Sequence, residues 1–252
     1  MTEPNKISKL YNGKIEIGFW ENRHRYSLKE SSGAWSKKFI ISVTGATSMV
    51  DKSRVLMAWQ EKLTREYLEG FIGKKLTEDI VKDSTSLHRK RKDEAADSGT
   101  QVHDWVETYI KAKLARKPLP EMPKDEKILN GAIAFVDWVK DNKVKFLASE
   151  KMVYSKKYKY VGLLDIKAEV NGELTLCDIK TSKGIYPEMY MQVSAYRQAD
   201  EEESGDKYDN MMILKLDKNT GDFEAHPFNE YKKHFEAFKN CLGLKQWQKM
   251  VK

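Results

Sequence analysis

The stretch GLLDIKAEVNGELTLCDIKTS, Gly162 to Ser182, constrains the fold more than any other part of the chain. Asn171-Gly172 is the strongest short hairpin signal present, because both residues tolerate the positive φ of a type I′ turn. With a two-residue loop Val170 faces Glu173, and counting outward places Asp165 opposite Asp178. Directly opposed residues share a face with Cβ atoms about 4.5–5.5 Å apart. Lys180 falls on that face as well, since strand side chains alternate. Leu174 and Leu176 lie there too, so the acids sit beside a buried surface. Like charges so close repel. A shared proton, a bound cation or the nearby ammonium must offset them, and a hard dication with oxygen ligands and open positions suits the geometry. One bulge would shift this register.

The remainder of the chain supplies helices and strands around the hairpin. KIEIGFW and RHRYSLKE read as short strands joined by a polar turn, and KKFIISVTGATSMV adds a β-branched run ending in small residues. From Ser53, Leu56, Trp59, Leu63, Tyr67 and Phe71 recur at spacings of three and four, which predicts a helix with one apolar face. Residues 74–97 are charged and weakly periodic and read as a loop. Ser98 with Gln101 fits a capping box, so a second helix is expected from there, with Val102, Val106, Tyr109 and Ile110 buried. Lys117-Pro118-Leu119-Pro120 breaks it, and a third helix covers 126–141. The period changes to two at Val144, giving VKFLASEKMVYS and then the hairpin. PEMYMQVSAYRQ opens a helix with Pro187 in its first turn. NMMILKLD and GDFEAHPF are later strands, and a last helix runs from about Glu230 to Lys249 with Phe235, Phe238, Leu242 and Trp247 inside. The order predicts a mixed α/β (α+β) fold. An N-terminal accessory region over 1–93 precedes a core over 94–252.

Lys plus Arg outnumber Asp plus Glu by 45 to 38, a formal charge of +7 that favours an anionic partner without identifying it. The run His88, Arg89, Lys90, Arg91, Lys92 concentrates that charge. Taken alone it reads as a solvated loop. Cys177 and Cys241 are too few for a four-thiolate iron–sulfur cluster or an all-cysteine zinc site. No apolar run approaches the roughly 18 residues of a membrane span. The start, MTEPNKISKLYNGKIEIG, lacks the apolar stretch of a signal peptide, so no membrane association and a cytoplasmic location are expected.

Four short motifs then occur in order: Gly99 and His103 in SGTQVHDWVE, Gly162-Leu-Leu-Asp165, Asp178-Ile-Lys180, and Gln192-Val-Ser-Ala-Tyr196. Together they resemble the PD-(D/E)XK nuclease superfamily, in particular its RecB-like exonuclease branch, which pairs a GxxD strand with a (D/E)xK strand and places QxxxY on the next helix. SVTGATSMVDKSRVLMAW is more loosely similar to the N-terminal region of phage-type and mitochondrial exonucleases of that group. The resemblance implies a restriction-endonuclease-like core, a mixed central sheet flanked by helices. It implies that Asp165 and Asp178 hold one or two Mg2+ or Mn2+ ions with the Ile179 main-chain carbonyl and His103. Lys180 would act on the attacking water, and Gln192 and Tyr196 would line the site. Glu150, on the strand before the hairpin, stands where relatives often keep a glutamate.

The implied activity is metal-dependent hydrolysis of DNA phosphodiesters, on single strands or ends, in replication, recombination or repair. The setting would be a bacterial or phage-infected host cell, with phage or host recombination and replication proteins as partners. Arg89, Lys90, Arg91, Lys92 and Lys183 would grip phosphates. An endonuclease on the same core and a non-catalytic DNA-binding protein are the competing readings. Taken singly, His103 reads as a core-edge histidine, and Gln192 with Tyr196 as helix packing.

Overall fold

The computed structural model describes residues 3–251. A mixed, open sheet of nine strands runs through them, with six α-helices. The first strands, β1 (Lys6–Leu10), β2 (Ile15–Trp20), β3 (Arg25–Lys29) and β4 (Trp35–Ser42), form an antiparallel meander. The short helix α1 (Val43–Thr47) follows, capped by the Ser42 hydroxyl on the Gly45 N–H. Then come α2 (Ser53–Glu69), α3 (Glu78–Ala115) and α4 (Glu126–Asp141). Strands β5 (Val144–Ser155), β6 (Tyr160–Val170) and β7 (Glu173–Lys180) lead into α5 (Pro187–Ser204). The chain closes with β8 (Asn210–Leu216), β9 (Phe223–Phe228) and α6 (Tyr231–Met250).

The Asn171-Gly172 turn has positive φ at both residues, and β6 pairs with β7 in the expected register from Val170–Glu173 out to Ile166–Cys177. Strand β5 pairs along the opposite edge of β6. At its start β6 instead meets β4, in parallel, through Tyr160 and Val161. Between the β4 and β7 pairings, residues 162–164 have a strand partner only on the β5 edge. The sheet therefore forks along β6.

One core lies under α1, α5 and α6, where Tyr160, Leu164 and Leu176 meet Val193, Tyr196 and Phe238. The other lies under α3 and α4, where Ile166, Cys177 and Ile179 meet Val102, Phe135 and Trp138. Leu164 belongs to the first and Ile166 to the second, so side-chain alternation along β6 slips by one residue at Asp165. Among the described residues no helix is long and apolar enough to cross a membrane.

Three expectations are corrected. Residues 78–97 are not a loop and no helix begins at Ser98: α3 runs unbroken from Glu78, capped by Thr77, whose hydroxyl accepts from the Ile80 N–H. No Gly or Pro interrupts 78–98, and its lysines, arginines, glutamates and alanines are strong helix formers despite the absence of an apolar stripe. Ser98 bonds back to the carbonyls of Glu94 and Ala95, and Gln101 bonds to Asp97. The basic run 88–92 is thus on a helix, and α3 crosses the expected boundary at 93/94. Helix α2 buries no residue fully, and Leu56 is exposed, because its main partner is the first half of α3. Trp247 is also exposed, since the buried side chains of α6 end at Leu242. Strand β1, short and lysine-bearing, carries no pattern that predicts it.

The back of β5 and β6 is tied to α5 by a buried ionic cluster. Asp200 accepts from Lys151 (2.6 Å), Lys167 (2.8 Å) and the Tyr208 hydroxyl (2.6 Å). Burial pushes its carboxyl up, but these donors outweigh burial and hold it below the usual carboxylate range. Asp200→Ala strands the buried Lys167 with only the half-exposed Asp206, and should cost about 3–5 kcal/mol in urea unfolding. Because the native pKa is depressed, the wild-type contribution is in place above the ordinary 3.8 and is lost as pH falls through the native value. The difference between the two proteins should therefore shrink in acid.

Candidate metal centre

The candidate site lies in the fork of the sheet. Past Ile166–Cys177 the ladder between β6 and β7 ends, and Asp165 bridges the opening: its Oδ2 accepts the Ile179 N–H at 2.7 Å. The same oxygen lies 3.7 Å from Nδ1 of His103, on α3. Glu150 completes the group from β5, and one ligand atom each from His103, Glu150 and Asp165 lie within 4.8 Å of one another. Glu150 has φ of +47°, a left-handed conformation that a non-glycine residue adopts at a cost. That cost, of order 1–3 kcal/mol, is the kind borne at functional sites.

Asp178 and Lys180 stand beside this trio. Asp178 is fully buried and its Oδ2 contacts the Lys180 ammonium. Neither carboxylate oxygen receives a well-formed hydrogen bond. The expected cross-strand pair of Asp165 and Asp178 does not form, because the two strands diverge just before reaching it. Asp178 also stands outside the tight trio, which Glu150 joins instead.

Burial dominates the electrostatics. It raises the Asp178 carboxyl to about 6, against the pull of Lys180 and with help from Asp165. It raises Asp165 despite Lys180 and the Ile179 N–H. Glu150 rises to about 8 through burial, then through Asp165 and Glu107. Burial and Lys180 lower His103 to about 4, so at neutral pH the ring is uncharged and its contact with Asp165 is not an ion pair. The Ile179 carbonyl faces that ring. For Lys180, burial lowers the pKa but Asp178 and Asp165 more than offset it, so the ammonium keeps its charge. Three dehydrated acids and a neutral imidazole form a donor set that a hard divalent cation fits.

Both motif glycines are explained by packing. A Cβ on Gly162 would come within 2.7 Å of Tyr196 Cδ1 and 3.0 Å of Val43 Cγ2. A Cβ on Gly99 would come within 2.8 Å of Thr181 Oγ1. Tyr196 is held in turn by Gln192, whose Nε2 donates to its hydroxyl at 2.7 Å. The two therefore brace β6 from α5. Arg89, Lys90, Arg91 and Lys92 are exposed on α3, and the last lies about 17 Å along the helix from His103. Lys90 pairs with Asp83 at 2.9 Å, while the other three have no ion pair among the described residues. Lys183 is exposed just beyond β7. Sequence reasoning missed Asp104 and Glu107, which add negative charge near Glu150. Glu107, four residues after His103 on the same helix, carried the available signal, whereas Asp104, one residue on, shares no face with it.

No protein-family model matches the chain, and no curated protein sequence matches it.

The raised carboxyls fix a sign. Glu150 binds its proton more tightly folded than unfolded, while the depressed His103 gives the opposite slope up to its ordinary 6.5, so in chelator the loss of stability should show as pH rises from about 6.5 towards about 8. A bound cation requires the ionised acids, so Mn2+ should raise the melting temperature more at pH about 8 than at about 6. Scanning calorimetry with EDTA or Mn2+ at both values checks this. An equal or absent increment would contradict it.

Proposed function

We propose that the protein is a metal-dependent deoxyribonuclease, with exonucleolytic action on single-stranded or end-bearing DNA. The observation that supports this best is the convergence of His103, Glu150 and Asp165 within 4.8 Å, beside the buried Asp178–Lys180 pair. His103, Glu150 and Asp165 would hold Mg2+ or Mn2+, with Asp178 and the Ile179 carbonyl adjoining. When bound, such an ion supplies Lewis acidity at the phosphoryl oxygen and a more acidic water.

The chain's own groups do the rest. Lys180 presents a fixed positive charge where the phosphoryl group gains negative charge, in surroundings of low dielectric that strengthen its effect. Asp178 holds that ammonium in place through their direct contact. Asp165, anchored by the Ile179 N–H, keeps one face towards His103 and Glu150. Gln192 and Tyr196 fix the height of β6 at Gly162, three residues before Asp165. Arg89, Arg91, Lys92 and Lys183 offer sequence-independent contacts to phosphates, so binding should weaken with salt. The same RecB-like motifs that motivate this reading also suggest a restriction-endonuclease-like core and a place in DNA replication, recombination or repair.

Asp165→Ala, Asp178→Ala and Lys180→Ala should each lower cleavage of end-labelled single-stranded DNA by about a hundredfold or more, with DNA affinity and circular dichroism near wild type. Wild-type cleavage should require Mg2+ or Mn2+ and stop in EDTA. Closed circular single-stranded DNA should survive. Its opening would point to an endonuclease, and no cleavage with either metal would leave a DNA-binding protein and refute the enzymatic reading.

A further inference from the structure

Lys218 stands apart from the other buried lysines. Lys167 meets Asp200 and Asp206, Lys215 meets Glu224, and Lys180 meets Asp178. Lys218 is 9% exposed, and among the described residues no carboxylate lies within ion-pair distance of it. Its Nζ donates to two neutral acceptors on α3, the Ala95 carbonyl at 2.9 Å and the Ser98 hydroxyl at 2.8 Å. An ammonium has three donors, so one is left over. A covered positive charge without a counter-charge is costly, and a bound anion removes that cost.

Its location says which anion. The Lys218 ammonium lies 3.9 Å and the Thr181 hydroxyl 2.8 Å from where a Cβ on Gly99 would stand. Gly99 precedes His103 by one turn of α3, about 6 Å along the axis. Thr181 directly follows Lys180. The ammonium therefore flanks the carboxylate centre on the side leading towards Lys92, which shares the helix face of Gly99 and His103 by its spacing of seven and eleven residues. The turn carrying Lys218 is also held in place, because Asn130 on α4 donates to the carbonyls of Lys218 and Asn219, at 3.1 Å each. Burial and then Lys127 lower the Lys218 pKa, a further sign of positive charge with no anion beside it.

We infer that Lys218, with the Thr181 hydroxyl, forms a phosphate subsite that holds the nucleic-acid backbone phosphate next to the one at the metal centre. This rests on the nuclease reading for its ligand, and it assigns a binding role to a residue outside all four motifs. Gly99, itself buried, is required for the close approach of α3 to Thr181 and the Lys218 ammonium.

The test uses a short single-stranded oligonucleotide in EDTA, so that binding is read without cleavage, together with cleavage in Mn2+. Lys218→Met keeps the stem and removes the charge. Lys218→Gln keeps polar partners for Ala95 and Ser98. Both should bind about tenfold more weakly than wild type. Both should lower the slope of log affinity against log salt by about 0.7, one phosphate contact on a single strand. Their melting temperatures should equal or exceed that of wild type. If Lys218→Gln folds and keeps the wild-type affinity and salt slope, Lys218 is only a staple between β8 and α3 and the inference is overturned. Loss of both variants to misfolding would overturn it equally, since a structural staple predicts that and a phosphate subsite does not. A wild-type protein that binds but never cleaves refutes the nuclease reading while the affinities still decide the subsite. One that does not bind the oligonucleotide refutes both.

Discussion

Where β6 leaves β7, a backbone N–H that a continued ladder would satisfy is handed to a carboxylate. The Ile179 N–H to Asp165 bond is the constraint on which the rest of the site depends. It joins the diverging strands, fixes one oxygen of Asp165, and leaves the carboxylate in a dehydrated fork where its charge is poorly solvated. A buried acceptor that takes a backbone donor is stabilised towards ionisation, while burial pulls the other way. For Asp165 burial wins. Burial also wins for Asp178 and Glu150, there against the charges of Lys180 and Lys111 rather than against a backbone donor.

The surroundings exist to keep that fork open. Tyr196 fills the space above Gly162, the start of the stretch where β6 lacks a second partner, and Gln192 holds its hydroxyl. Below, Val102 and Val106 of α3 pack against the other face of the sheet, which brings His103 up to Asp165. From β5, the left-handed turn at Glu150 delivers a carboxylate to the gap, one residue before Lys151 is clamped by Asp200. A distant helix and two consecutive strands thus meet at one point because a single strand changes neighbours along its length.

The hairpin was readable in the sequence, since the Asn171-Gly172 turn chemistry and the alternation on either side agree on the register. Strands β5 to β9 and helices α4 to α6 were readable for the same reason: their periods are clear and their ends carry turn or proline signals. The first half of α3 was not, because a helix stabilised by propensity and by one neighbouring helix leaves no apolar stripe to detect. The fork was not readable either. Pairing of β6 with β4 is a contact across more than a hundred residues, and no local pattern announces it. That is why the sequence suggested Asp165 beside Asp178, whereas the compact trio is His103, Glu150 and Asp165. Lys218 escaped notice because a lone lysine after a strand has no signature until the fold covers it and gives it only neutral acceptors.

The central claim is that the forked strand creates a cation site from an imidazole that burial keeps neutral and carboxyls whose pKa burial raises. Anomalous diffraction from crystals soaked in Mn2+ tests it most directly. A peak among the imidazole of His103 and the carboxylates of Glu150 and Asp165, absent from Asp165→Ala crystals, is the expected result. Manganese found only on surface acids, with those three side chains free of it, would contradict the account.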